Sequence, residues 1–180
     1  KLKADQPVVS GLNTIQYFEN WNEPDAFWKD ENVYFTPFDY AAMSSADYDG
    51  HQGAMGATVG VKNADPSAKM AMAGITNLNL DYVKSIKLWA DQYRGGSVPF
   101  DVINLHHYSN DAGLQHAGAN NGISPEEDRL KEKLEEFVTY RHYYLPGKAI
   151  WLSAFGYATN SGSAQRAPQI GSSTTAEVQG

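Results

Sequence analysis

The sequence predicts an α/β fold with a parallel sheet. Two observations carry this reading. Short apolar runs of strand length recur along the chain, and stretches of helical periodicity separate them. Turn residues such as Asp65-Pro66-Ser67, Gly95-Gly96 and Pro146-Gly147 mark the changes from one kind of segment to the other.

The first apolar run is Ile15-Gln16-Tyr17-Phe18-Glu19-Asn20, which leads into Trp21-Asn22-Glu23-Pro24. Pro24 has no N–H to donate and stops a strand ladder, so Glu23 falls at a strand's C-terminal end. Asp25 to Phe35 reads as an aromatic-rich loop. Thr36-Pro37-Phe38-Asp39 then opens a helix, with Thr36 as N-cap and Pro37 in the first turn. This helix runs through Ala41–Met43 and fades near Tyr48-Asp49-Gly50, while the Gly- and Ala-rich stretch from Gly50 to Gly60 has no clear form.

Lys69 to Gly74 is the next strand, after the Asp65-Pro66-Ser67 turn. Leu80 to Tyr93 is a helix, with Tyr82, Ile86, Trp89 and Tyr93 at helical spacing and Gly95-Gly96 as its stop. Val102 to His107 is a buried strand, and Ser109 to Ile123 a long loop. Ser124-Pro125-Glu126-Glu127 is a capping box with Pro at the first helical position. The helix it opens buries Leu130, Leu134, Phe137 and Val138 and turns Lys131, Glu132, Lys133, Glu135 and Glu136 to water. Pro146-Gly147 ends it before a last strand, Ala149 to Tyr157. The tail from residue 161 to 180 reads as loop or poorly ordered.

Asn22-Glu23-Pro24 after an apolar strand resembles the acid/base motif of the clan A glycoside hydrolases, the retaining (β/α)8 TIM-barrel glycosidases. A second segment carries the same resemblance. Ala149-Ile150-Trp151-Leu152-Ser153-Ala154-Phe155-Gly156-Tyr157 is similar to the family's strand-seven segment, apolar-Trp-Leu-Thr/Ser-Glu-Phe-Gly, except that Ala154 stands where the family has its nucleophilic Glu. A third segment, Phe100 to Tyr108, ends in His106 and Tyr108, matching the His-x-Tyr often found at the end of strand six. His107 faces the other side of its strand, because side chains alternate.

The resemblance implies a partial TIM barrel over residues 1–160, about strands four to seven with their helices, with catalysis at the C-terminal ends of the strands. It implies a β-glycoside hydrolase acting on a poly- or oligosaccharide by double displacement, with two carboxyl groups roughly 5–5.5 Å apart. Glu23 takes the acid/base role and Ala154 the nucleophile position, so the chain as written is an inactive glycosidase. Asn22 would donate to the sugar 2-hydroxyl. His106 would touch substrate or tune Glu23, and Tyr108 would orient the nucleophile. Trp28 and Tyr157 are the candidate stacking platforms for sugar rings, and Trp151 reads as core. Glu19, spaced by an even number from Glu23, points the same way, deeper into the barrel, where a buried carboxylate needs a partner such as an Arg from absent strands, and it reads as structural. Ala154 is either an engineered replacement in an active enzyme or a feature of a natural carbohydrate-binding pseudoenzyme. A doubly wound α/β protein with chance motifs is the third reading.

At 180 residues the chain is shorter than the roughly 250 of a whole barrel. It also begins at Lys1, so it is expected to be a fragment. Open sheet edges then require the remaining barrel segments, from the same parent or another chain. The formal charge is −7, from 14 basic and 21 acidic side chains, which leaves no Lys/Arg stripe for nucleic acid. A neutral polysaccharide is compatible with that charge. There is no cysteine, which excludes disulfide and thiolate-metal schemes. No run of 18 apolar residues occurs, so no membrane partner is expected. The family implies a secreted or periplasmic bacterial protein. His51, His106, His107, His116 and His142 match no zinc spacing, and no metal or other cofactor is expected. Asp47-Tyr48-Asp49-Gly50 reads as a turn rather than a calcium loop.

Overall fold

The structure, a computed structural model, describes residues 14–113, 121–163 and 165–179. It is α/β, with one four-stranded, all-parallel sheet. The strands are β1 (Tyr17–Glu19), β2 (Lys69–Ala71), β3 (Val102–His107) and β4 (Ala149–Phe155), and they lie in the sheet in chain order. The helices are α1 (Pro37–Asp49), α2 (Val61–Ala64), α3 (Leu80–Tyr93), α4 (Leu130–Tyr144) and α5 (Thr175–Gln179). Among the described residues no helix is long and apolar enough to cross a membrane.

Local signals explain α1 and α3. Thr36 Oγ1 accepts the Asp39 N–H, Pro37 opens the first turn, and Gly50 closes α1 in the left-handed conformation at φ 64°. A side chain at Gly50 would also meet the Val59 carbonyl, so the stop needs glycine on two counts. The Asp47–Gly50 segment is therefore a helix end, and its Asp49 grips Arg94. The Arg94 guanidinium is buried, forked onto both Asp49 oxygens at 2.9 and 2.7 Å. In α3, Asn79 accepts the Tyr82 N–H and the apolar stripe Tyr82, Val83, Ile86, Trp89 and Ala90 is buried, whereas Tyr93 stays exposed.

One apolar cluster joins these helices to the sheet. Tyr40 and Ala41 of α1, Ile86 and Trp89 of α3 and Phe137 of α4 meet Ile75, Ile103 and Leu105, with Ile150 and Leu152 packed beside them. Tyr40 also ties strand ends together. Its hydroxyl donates to Asn20 Oδ1 and accepts the Ala73 N–H, both at 2.6 Å. Burial drives its hydroxyl above the ordinary tyrosine range, so it stays protonated and keeps both roles.

Four expectations are corrected. Helix α4 starts at Leu130, five residues after Pro125. Ser124 does cap a turn, accepting the Glu127 N–H at 3.1 Å, but Arg129 then turns left-handed at φ 57° and breaks the run. The cause is tertiary: Asp128 is pulled into the fold by His107 and Lys133. Val138 is exposed, because Phe137 is the residue α4 buries fully. Trp151 is not core. It points to the open face of the sheet, where it packs on Tyr17. The tail is not all loop, since Thr175–Gln179 is helical and Ala158 bridges to Arg166.

Candidate active site

Glu23 is delivered by the chain just beyond β1. The ladder with β2 is interrupted at Trp21, whose φ is 111°, and resumes at Asn22, which bridges to Gly74. Glu23 itself is left-handed at φ 50°, and its N–H donates to the Gly74 carbonyl at 3.1 Å. Two non-glycine residues with positive φ in three positions are a local strain that the surroundings must hold in place. Asp25 is the holder. Both its oxygens face the Thr76 N–H, at 2.9 and 3.1 Å, and Oδ2 accepts the Thr76 hydroxyl at 3.0 Å. Burial outweighs these bonds and raises the Asp25 carboxyl above the usual range. Sequence reasoning passed over Asp25 as loop, because nothing periodic marks it.

The carboxyl of Glu23 is buried and doubly engaged. Lys29 Nζ donates to Oε2. His106 Nδ1 lies 3.1 Å from Oε1; against an ionised carboxylate, which only accepts, this ring nitrogen is the one that donates. Gly74 makes this contact sterically accessible: a Cβ there would run into the His106 imidazole. Of the two roles expected for His106, the structure places it against the acid/base candidate. His107 points the other way, onto Asp128, as alternation along the strand requires.

Ala154 stands in register with His106. Leu105 pairs with Leu152 and His106 with Ala154, so Ser153 is an extra residue in β4, a β-bulge. Without it, Ala154 would follow the face of Leu152, which packs on the core. Neighbouring strands lie about 4.8 Å apart, so Ala154 is one strand from the residue that holds Glu23. Positions 23 and 154, far apart in sequence, thus share His106 as a neighbour at the C-terminal end of the sheet.

An open cleft of about 630 Å³ lies beside Glu23, lined by Glu19, Trp21, Asn22, Glu23, Lys29 and Val33. Asn22 is exposed within it. Trp21 is also exposed, edge-on to Phe35 at 5.3 Å, and offers a ring that sequence reasoning did not assign to ligand contact. Glu19 lines the same cleft, but it is exposed rather than buried, and its partners come from the neighbouring strands and not from an Arg: Gly74 N–H and Asn104 Nδ2 each donate to Oε1 at 3.0 Å.

The other candidates, Ala154 and His106 included, are not among the residues that line this cleft. Trp28 packs edge-to-face on Phe27 at 5.2 Å. Tyr157 donates its hydroxyl to the Ile123 carbonyl, and burial raises that hydroxyl above its ordinary range. Tyr108 is half-buried, and its carbonyl accepts the Asn110 side chain at 2.9 Å. His116 and the middle of the loop after β3 lie outside the described residues. Among those residues no group of three or more His, Asp or Glu side chains is arranged to hold a metal ion. Comparison with family models, curated proteins and solved structures finds no match to this chain.

Proposed function

We propose that this chain carries strands four to seven of a (β/α)8 TIM barrel from a retaining β-glycoside hydrolase acting on a poly- or oligosaccharide, with Glu23 as acid/base and Ala154 at the nucleophile position. The observation that carries the proposal is the His106 junction: its imidazole binds Glu23 while its backbone pairs with Ala154. A retaining pair needs its two carboxyl groups about 5–5.5 Å apart, and two positions flanking one histidine suit that requirement. The strand order supports a barrel over a doubly wound sheet. The four strands run in chain order without reversal, and α1, α3 and α4 share one core with the sheet. A doubly wound sheet reverses its order and carries helices on both faces.

In the parent reaction, a carboxylate at position 154 attacks the anomeric carbon while Glu23 protonates the leaving oxygen. Water then attacks the glycosyl-enzyme, with Glu23 taking its proton. Alanine has no lone pair to attack with, so this chain lacks the first step. Asn22 lies in the cleft where a sugar hydroxyl can be met, and His106 orients Glu23. The open edges β1 and β4 carry exposed Tyr17, Phe18 and Phe155, with exposed Ile15 just before β1, which fits completion by further barrel segments from the same parent or another chain. The location that goes with this reading is secreted or periplasmic.

Azide rescue tests the reading. Azide can occupy the space left by Ala154 and attack an activated aryl β-glycoside, releasing the phenol and a glycosyl azide. Rescue in the chain as written, or hydrolysis after Ala154→Glu, is the expected result. Sugar binding without rescue or restored hydrolysis favours the natural carbohydrate-binding pseudoenzyme instead.

A further inference from the structure

We propose that Lys29 is the counter-charge that holds Glu23 in its base form in the resting chain, and that it must leave Glu23 before the acid step. The words acid and base rest on the glycosidase reading; the ion pair does not. Both oxygens of Glu23 are engaged, Oε1 by His106 and Oε2 by Lys29. An ammonium has three donors and no acceptor, so it suits a carboxylate and opposes a protonated Oε2. A departing glycosidic oxygen needs a proton from that side of the carboxyl, because His106 occupies the other.

The loop that carries Lys29 is built to present it. Phe35 N–H closes the loop onto the Pro24 carbonyl at 2.8 Å. Asp30 Oδ1 accepts the Asn32 N–H and side-chain amide, each at 2.7 Å, and the Asp30 carbonyl accepts the Val33 and Tyr34 N–H groups at 3.1 and 3.2 Å. The Lys29 N–H is itself held by the Ala26 carbonyl at 3.1 Å. The backbone is thus fixed, and the mobile part is a four-carbon stem ending in a point charge. The Lys29 side chain is 44% exposed against 8% for Glu23, so one end of the pair is wet and free to swing out while the other is not. A sugar entering the cleft that both residues line meets this ammonium and displaces it.

Carboxyl carbon NMR on the intact chain tests this, with Glu23→Gln assigning the signal. Lys29→Met should raise the Glu23 titration midpoint by about one unit or more, and Lys29→Arg should leave it nearly in place. Salt provides an arm without mutation. Raising NaCl to about 1 M should raise the midpoint in the unaltered chain and not in Lys29→Met, because a half-exposed pair is screened. A midpoint that moves with neither mutation nor salt overturns the proposal. Azide rescue reports separately. Rescue with no Lys29 effect removes this inference alone, and a Lys29 effect with no rescue and no activity after Ala154→Glu removes the glycosidase reading alone.

Discussion

Tyr17 of β1 and Trp151 of β4 bring their rings to 4.7 Å across the open face of the sheet, although β2 and β3 lie between their strands. Three strand spacings in a flat sheet come to about 14 Å. The rings meet because both point to the same face and the sheet curls toward it. A double-mutant cycle with Tyr17→Ala and Trp151→Ala should therefore show a coupling of about 0.5–1.5 kcal/mol in urea unfolding. Additive losses would mean that the outer strands do not approach in solution.

Gly74 is the second test of the site. A methyl group there collides with the His106 ring, and Gly74 also supplies the N–H to Glu19 and the carbonyl to the Glu23 N–H. Gly74→Ala should turn His106 off Glu23. The change should appear as a loss of the His106 Nδ1–H signature in nitrogen NMR and as a destabilisation of about 1–3 kcal/mol from overpacking. An unchanged histidine spectrum would show that the site tolerates a Cβ and that the stated geometry is wrong.

Some of this was legible in the sequence and some was not, for physical reasons. The limits of α1, α3 and β3 follow from caps, periodicity and glycine stops, all of which act within a turn or two of the chain. Glu23 was legible as a strand-end carboxylate because a proline stop is local too, whereas Asn22 and His106 were singled out only by the family resemblance. The start of α4 was not, because a left-handed Arg129 is imposed by Asp128 reaching across to His107. The exposure of Trp151 was missed because it depends on which face of the sheet lacks a covering layer. Lys29, Asp25 and Gly74 had no periodic signature; each acts through one contact with a residue remote in sequence or across a loop.

Phe137 anchors α4, as the one residue of that helix that is fully buried in the shared core. Phe137→Ala should cost about 3–5 kcal/mol, the range for emptying a buried aromatic site. Hydrogen exchange should show α4 losing protection before the sheet does. Val138→Ala serves as the control, since Val138 is exposed and should change stability by less than about 0.5 kcal/mol. Equal losses for the two would mean that α4 packs by a different face.

Asp128 predicts a pH dependence whose sign can be worked out. Burial alone would raise its carboxyl, but Lys133, His107 and Ser109 bond to it and hold it below the ordinary carboxylate range. A carboxyl lowered on folding stabilises the fold above its unfolded value, near 3.9, and that contribution is lost as pH falls through the folded value. Asp128→Asn should therefore cost about 1–3 kcal/mol at neutral pH, because the buried His107 ring nitrogen and the Lys133 ammonium lose the carboxylate they bond. The gap between the parent and Asp128→Asn should narrow steadily as the medium is acidified below about pH 5. Urea midpoints measured for both chains from neutral pH down to about pH 3 give the answer. A gap of constant size across that range would mean that the His107–Asp128–Lys133 cluster contributes by shape and neutral hydrogen bonding, with no role for the Asp128 charge.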